Sequence, residues 1–110
     1  MKEVKKPWGN FKLFALNRKC TFKLLTLNPN QEISLQSHKS RRENWYFLDS
    51  AIAQVGNKKF HVKEGDFIHI KKGEKHRVIS QKNRVRFLEI VFDKFSEKEI
   101  TRYEDKYGRV

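Results

Sequence analysis

The residues best equipped for chemistry in this chain are four histidines, His38, His61, His69 and His76, with Gln36, Glu43 and Glu89 beside them in the pattern. In Ser34-Leu35-Gln36-Ser37-His38, a strand's period of two puts Gln36 and His38 on one face. Glu43 follows five residues after His38, across a basic turn over 39–42. His76 comes directly after the tight-turn sequence Gly73-Glu74-Lys75. Imidazole nitrogen and carboxylate oxygen are good ligands for zinc, manganese, iron, cobalt or nickel, and an amide oxygen can join them. The set contains no thiolate, which argues against a closed structural zinc site and leaves coordination positions for water or substrate. The same residues could equally be ordinary polar groups at strand ends, and spacing alone leaves both readings open. Glu89 lies in the apolar stretch 87–92, where a carboxylate needs a partner. It could hold a ligand histidine, act as an acid or base, or form a structural salt bridge. His69, between Ile68 and Ile70, faces opposite to both and is a candidate for lining a pocket.

Short β-strands would have to position these groups. Runs of apolar and β-forming residues cover 11–16, 21–27, 33–38, 44–48, 51–55, 60–62, 67–70, 77–79 and 85–92. Turn signals separate several of them: Asn28-Pro29-Asn30, Gly56-Asn57, Glu64-Gly65-Asp66 and Lys72-Gly73-Glu74. Many short strands at this spacing predict an all-β sandwich or barrel. One short helix is expected near the end. Ser96 and Glu99 have the capping-box spacing, and Glu97 and Glu99 suit the positive end of a helix dipole. It would run about two turns from Glu97 toward Tyr103, with 105–110 as a tail.

A length of 110 residues suits one domain, 1–110, and its nine Phe, three Tyr and two Trp supply bulky core material. Trp8 and Trp45 are expected in the core or as pocket walls. Cys20 is the only cysteine, so no internal disulfide can form. No apolar run approaches the ~20 residues that span a membrane. The charged start, 1–6, has no apolar stretch behind it, so neither a membrane partner nor a signal peptide is expected, and the cytoplasm is the simplest location. The formal net charge is +12. A field of that sign attracts anions, such as a phosphorylated small molecule. The basic residues are dispersed over strands and turns, however, so a generally basic surface explains them as well as a specific anion site does. A nucleic-acid partner is not expected, because it would need a basic stripe with exposed aromatics, and the aromatics here read as core.

Two segments resemble the paired motifs of the cupin family. Residues 30–47, with Gln36, His38 and Glu43 followed by a strand, are similar to the first motif. Residues 64–77, from Glu64-Gly65-Asp66 to Gly73-Glu74-Lys75-His76-Arg77, are similar to the second. More narrowly, Ser34-Leu35-Gln36-x-His38 followed by Arg41-x-Glu43-x-Trp45 resembles the type II mannose-6-phosphate isomerase domain, in which Gln replaces the first His of the pair. Lys6-Pro7-Trp8-Gly9 is similar to that family's opening. Arg102-Tyr103-Glu104-Asp105-Lys106-Tyr107-Gly108-Arg109 is similar to its closing segment. The chain departs from the pattern at several places. Asn30 and Ser50 stand where the motif has Gly, Lys71 replaces a Pro, and Val91 replaces a Gln. Lys39, Ser40 and Asn44 stand where the isomerases often carry more His.

The resemblance implies a cupin double-stranded β-helix, a jelly-roll barrel. It implies one divalent metal on Gln36, His38, Glu43 and His76, zinc in the first place, with Mn, Fe, Co or Ni as alternatives. It implies interconversion of mannose 6-phosphate and fructose 6-phosphate. Arg41 would bind or polarise the phosphosugar, with Glu89, His69 and a metal-bound hydroxide as candidates for the base and His69 for lining the pocket. A homodimer is expected, with the apolar strand over 11–16 at its edge. A non-catalytic sugar- or sugar-nucleotide-binding metal cupin is the alternative.

Overall fold

A computed structural model describes residues 1–93 and 98–109, and every described element is a β-strand. In chain order these are β1 (Lys2–Lys6), β2 (Gly9–Leu13), β3 (Thr21–Leu27), β4 (Leu35–Ser37), β5 (Arg41–Phe47), β6 (Ala51–Val55), β7 (Lys58–Val62), β8 (Phe67–Ile70), β9 (His76–Ile79), β10 (Val85–Asp93) and β11 (Thr101–Glu104). Strands β1 and β2 form a two-stranded hairpin. The others make a four-stranded sheet, β3-β10-β5-β8, and a five-stranded sheet, β11-β4-β9-β6-β7, antiparallel throughout. The chain passes back and forth between the two sheets, which is the jelly-roll arrangement of the double-stranded β-helix.

Alternation decides which side chains face inward. Along β5, buried and half-buried residues alternate at every step, so Arg41, Glu43, Trp45 and Phe47 share the inner face. Strand β10 matches it in register: Phe87 lies opposite Phe47, Glu89 opposite Trp45 and Val91 opposite Glu43. The apolar core joins Leu27, Trp45, Phe47, Val78, Val85 and Phe87, among others, across the two sheets. Phe47 and Phe87 stack at 5.3 Å, and Trp45 meets Phe87 edge-on at 5.5 Å. Burying an aromatic of this size contributes roughly 1.5–3 kcal/mol. One step beyond Trp45, at Glu43, the inner face of β5 turns polar.

The turn chemistry accounts for two departures from the family pattern. Asn30, where the motif has Gly, adopts a φ of 59°, a conformation Asn tolerates better than most residues. Lys71, where the motif has Pro, donates its N–H to the Glu74 carboxylate at 3.1 Å, a bond Pro cannot make.

Three expectations are corrected. Thr101–Glu104 is a strand, not a helix: it pairs with β4, where Thr101 lies opposite Ser37 and Arg102 opposite Gln36. The capping-box reading failed because the Glu99 carboxylate accepts the Ser40 N–H, at 2.6 Å, in tertiary contact; Ser96 and Glu97 lie outside the described residues. The early strand occupies Gly9–Leu13, and it pairs with β1, whose charged sequence carries no strand signal. Trp8 sits in the hairpin turn, 74% exposed, and only Trp45 is core. No helix among the described residues is long and apolar enough to cross a membrane.

Candidate metal centre

The two sheets deliver the chemistry to one cavity of about 220 Å³, lined by residues that include Gln36, His38, Arg41, Glu43 and Glu89. Ser34, Gln36 and His38 reach it from the segment around β4, in keeping with their period of two. Gln36 lies directly opposite His76, the first residue of β9. Glu43 comes from β5 in the other sheet. The Gly73 N–H donates to the His38 carbonyl at 2.8 Å, tying the end of β4 to the turn before His76. A larger, shallower depression of about 470 Å³ shares Leu25, Ile33 and Arg109 with the cavity, but it gathers no histidine or carboxylate cluster.

His38, Glu43 and His76 are each buried and can place one ligand atom apiece within 4.8 Å of one another. His38 Nε2 lies 3.4 Å from Glu43 Oε1, and His76 Nε2 lies 3.8 Å from Glu43 Oε2. Two ligands each ~2.1 Å from a zinc ion stand roughly 3–3.5 Å apart, so the cluster is close to the spacing a metal requires.

Second contacts fix both imidazoles in the tautomer a metal needs. His38 Nδ1 faces the Glu99 carbonyl at 2.9 Å, and His76 Nδ1 faces the Glu74 carbonyl at 2.8 Å. A carbonyl only accepts, so each Nδ1 carries the proton and each Nε2 keeps its lone pair on the side of the Glu43 carboxylate. His76 Nε2 is buried and has no hydrogen-bond partner among the described residues. An orphaned lone pair is costly to bury, and coordination satisfies it. Burial, and then the charges of Arg41 and His76, bring His38 down to about 4; a hydrogen bond to the Glu99 carbonyl opposes them. Burial also lowers His76. Both rings are therefore neutral at physiological pH, as ligands must be. The donor set fits a divalent cation.

Arg41, 5% exposed, is drawn into the same cluster. Its Nε donates to Glu43 Oε1 at 3.1 Å, and its Nη2 donates to His38 Nε2 at 2.9 Å. Trp45 Nε1 donates to Glu43 Oε2 at 3.3 Å. Burial raises the Glu43 carboxyl, while Arg41 and the Trp45 hydrogen bond pull it down. Glu89 is pushed up to about 7, first by burial and then by the charge of Glu43, against the pull of Lys23, whose Nζ lies 3.6 Å away.

His69 does not join the site. It is exposed on the outer face, where its Nδ1 meets Asn44 Oδ1 at 2.6 Å, and it lines a separate depression with Arg42, Lys71 and Lys72. The reason is parity. Ile70 points into the core, so His69, one residue before it, points out. Arg42 diverges from Arg41 in the same way.

Several residues of the cavity escaped the sequence reading. Lys23 shares inner-face parity with Leu25 and Leu27, a signal present in the sequence. Trp45 supplies a donor as well as bulk. Glu99 gives its carbonyl to His38 from a segment whose local signal pointed to a helix cap and not to the cavity.

Known proteins resemble this chain in sequence and in fold. The family described as mannose-6-phosphate isomerase C-terminal matches residues 1–105. The xanthan biosynthesis protein XanB of Xanthomonas campestris is 30% identical over 98% of this chain and 24% of its own length. The alginate biosynthesis protein AlgA of Pseudomonas aeruginosa is 32% identical over 97% of this chain and 23% of its own length. The chain thus spans about a quarter of the length of these curated relatives. Among solved structures, a cupin 2 conserved barrel domain protein from Salinispora arenicola has a TM-score of 0.63 at 14% identity, covering 76% of this chain and 71% of that one. Oxalate decarboxylase from Bacillus subtilis has a TM-score of 0.68 at 24% identity, covering 77% of this chain and 24% of that one. The fold is that of the cupins, and the chain belongs to the mannose-6-phosphate isomerase C-terminal family.

Proposed function

We propose that this protein is a metal-dependent phosphosugar isomerase that interconverts mannose 6-phosphate and fructose 6-phosphate. The observation that carries the reading is the pair of neutral imidazoles whose Nε2 lone pairs converge with Glu43 in a buried cavity. Gln36, His38, Glu43 and His76 would hold the metal, with zinc expected. When bound, the metal supplies Lewis acidity to the sugar carbonyl and its neighbouring hydroxyl.

The chain's own residues do the rest. Isomerisation moves a proton between C1 and C2 through an enediol, so one group must take a proton and return it. Glu89, buried and pushed up to about 7, is half protonated near neutral pH and suits both halves of that task. Lys23, at 3.6 Å, sets the orientation of its carboxylate. Arg41 offers a planar fork of donors to an anionic oxygen of the substrate. A cytoplasmic setting, where phosphosugars are made and used, goes with this reading.

The test is purified protein with its metal content measured, incubated with fructose 6-phosphate in heavy water. Incorporation of deuterium at C2 of mannose 6-phosphate is the expected result, lost in Glu89→Gln. No exchange by metal-loaded protein would favour the second reading, a sugar- or sugar-nucleotide-binding cupin. That reading draws on Lys39, Ser40 and Asn44, which stand where the isomerases often carry His. A homodimer also belongs to this proposal. The outer face of β3 exposes Phe22 and Leu24, an apolar edge that a second copy would cover. Light scattering at micromolar concentration should give twice the 13.3 kDa chain mass, falling to one chain in Leu24→Lys.

A further inference from the structure

His38 Nε2 has one lone pair, and Arg41 holds it. The Nη2–H of Arg41 donates to that nitrogen at 2.9 Å, while Nε–H donates to Glu43 Oε1 at 3.1 Å. A metal coordinated by His38 and Glu43 would use the same lone pair and the same carboxylate. One lone pair cannot serve both. A divalent ion ~2.1 Å from His38 Nε2 would also sit within a few ångströms of a guanidinium of like charge, in a cavity too buried to screen the repulsion. Arg41 and the metal are therefore alternative occupants of one position.

Leaving that position creates a binding group. Arg41 is 5% exposed, on a strand, with its side chain confined to the cavity wall. A displaced guanidinium stays inside the cavity, where its donors need acceptors because buried N–H groups are rarely left unpaired. Glu43 would by then be engaged with the metal. The rest of the wall is rich in cations, with Lys23, Arg102 and Arg109 all lining it and Glu89 as a remaining carboxylate. An anion entering this wall meets a positive field and can replace Glu43 and His38 as the acceptor for the Arg41 Nε–H and Nη2–H.

We propose that Arg41 is a resident cation that occupies the metal position in the metal-free protein, and that metal binding displaces it to form the anion-binding site. The proposal rests on the metal-centre reading above and adds an order to it: metal first, anion second. It makes two quantitative statements. Arg41 opposes the metal, so removing it tightens metal binding. Metal and anion also bind with positive coupling, and that coupling is reciprocal.

Calorimetry on wild-type protein and Arg41→Met at pH 8 tests both statements, with Zn²⁺ titrated in the absence and presence of saturating fructose 6-phosphate. Circular dichroism establishes that the variant is folded. Expected is zinc affinity at least tenfold tighter in Arg41→Met than in wild type when no sugar is present. Fructose 6-phosphate tightens zinc binding several-fold in wild type, and most of that gain is lost in the variant. Equal or weaker zinc binding by the folded variant would overturn the proposal while leaving the metal centre standing. Zinc binding by neither protein would overturn both. A measurement on wild type alone guards against a variant that does not fold. The ¹⁵N resonance of the Arg41 Nε–H should move on zinc addition and again on sugar addition, and an unmoved resonance with zinc bound would overturn the displacement.

Discussion

Replacing Glu89 by Gln in the metal-free protein should stabilise it at alkaline pH and do little at acid pH. Glu89 is 6% exposed, and its carboxyl is raised from 4.5 to about 7, by burial first and by the charge of Glu43 second. A group whose folded-state value is raised holds its proton more tightly in the native state. Its contribution to stability is therefore full below 4.5 and is lost as pH rises through about 7. At ~1.36 kcal/mol per pH unit, that interval is worth about 3 kcal/mol. Gln keeps the shape and never ionises, so it escapes the loss. The expected gain is about 2–3 kcal/mol at pH 8.5 and under about 1 kcal/mol at pH 5. For a chain of 110 residues, ~1 kcal/mol corresponds to roughly 4 °C in Tm, so the alkaline difference should approach ~10 °C. Urea unfolding with a chelator present at the two pH values is the assay. Saturating zinc, which neutralises Glu43, should shrink the alkaline gain. A gain no larger at pH 8.5 than at pH 5 would refute the account of Glu89 as a buried carboxylate pressed by its neighbour.

Removing a ligand or its support should show in metal affinity. His76→Ala should weaken zinc binding at least ~100-fold, and zinc at 100 times the wild-type Kd should stabilise wild type by about 2.7 kcal/mol and the variant by no more than about 0.4 kcal/mol in a thermal scan. Trp45→Phe keeps most of the core volume but deletes the donor at 3.3 Å from Glu43, so calorimetry should show zinc affinity lowered by about 10- to 100-fold. In the metal-free protein the His38 ring should titrate by NMR near 4, well below the ordinary 6.5. Because the unfolded chain binds that proton first, stability should fall as pH drops from 6.5 toward 4, and a midpoint above 6 would contradict the buried, carbonyl-bound ring.

The parts of this structure that were legible in the sequence are those that repeat a period. Strand β5 alternates without interruption, and alternation alone places Glu43 inward with Trp45 and Phe47. Gln36 and His38 follow the same rule on β4. Asn30 was legible because a left-handed turn selects a short list of residue types. The failures share a different cause. The Ser96–Glu99 spacing is a local signal, and a non-local bond from Ser40 overrode it. Strand β1 is four-fifths charged and carries no pattern, so only its pairing with β2 reveals it. For His69 the parity was read correctly, since it does face opposite to Ile70, but facing away from a core residue means facing away from the cavity.

The placement of the site follows from the same packing that makes the core. Reading inward positions along the paired strands β10 and β5, Phe87 and Phe47 give way to Glu89 and Trp45, then to Val91 and Glu43. Trp45 is the boundary. Its ring packs edge-on against Phe47 and Phe87 on one side and His76 on the other, while its N–H reaches Glu43. A Trp held this tightly has little rotational freedom, so it transmits the rigidity of the aromatic core to two of the ligands. The polar layer above it is unfavourable by itself, with a raised carboxyl at Glu89 and an orphaned Nε2 at His76. Bound metal would relieve both, by taking up the lone pair and cancelling the charge of Glu43. A fold that can absorb such strain only because its lower half is well packed should lose metal affinity when that packing is loosened. Phe47→Leu, a change in the ring that packs on Trp45, should therefore weaken zinc binding more than its modest loss of volume would suggest, and calorimetry showing unchanged zinc affinity would separate the core from the site.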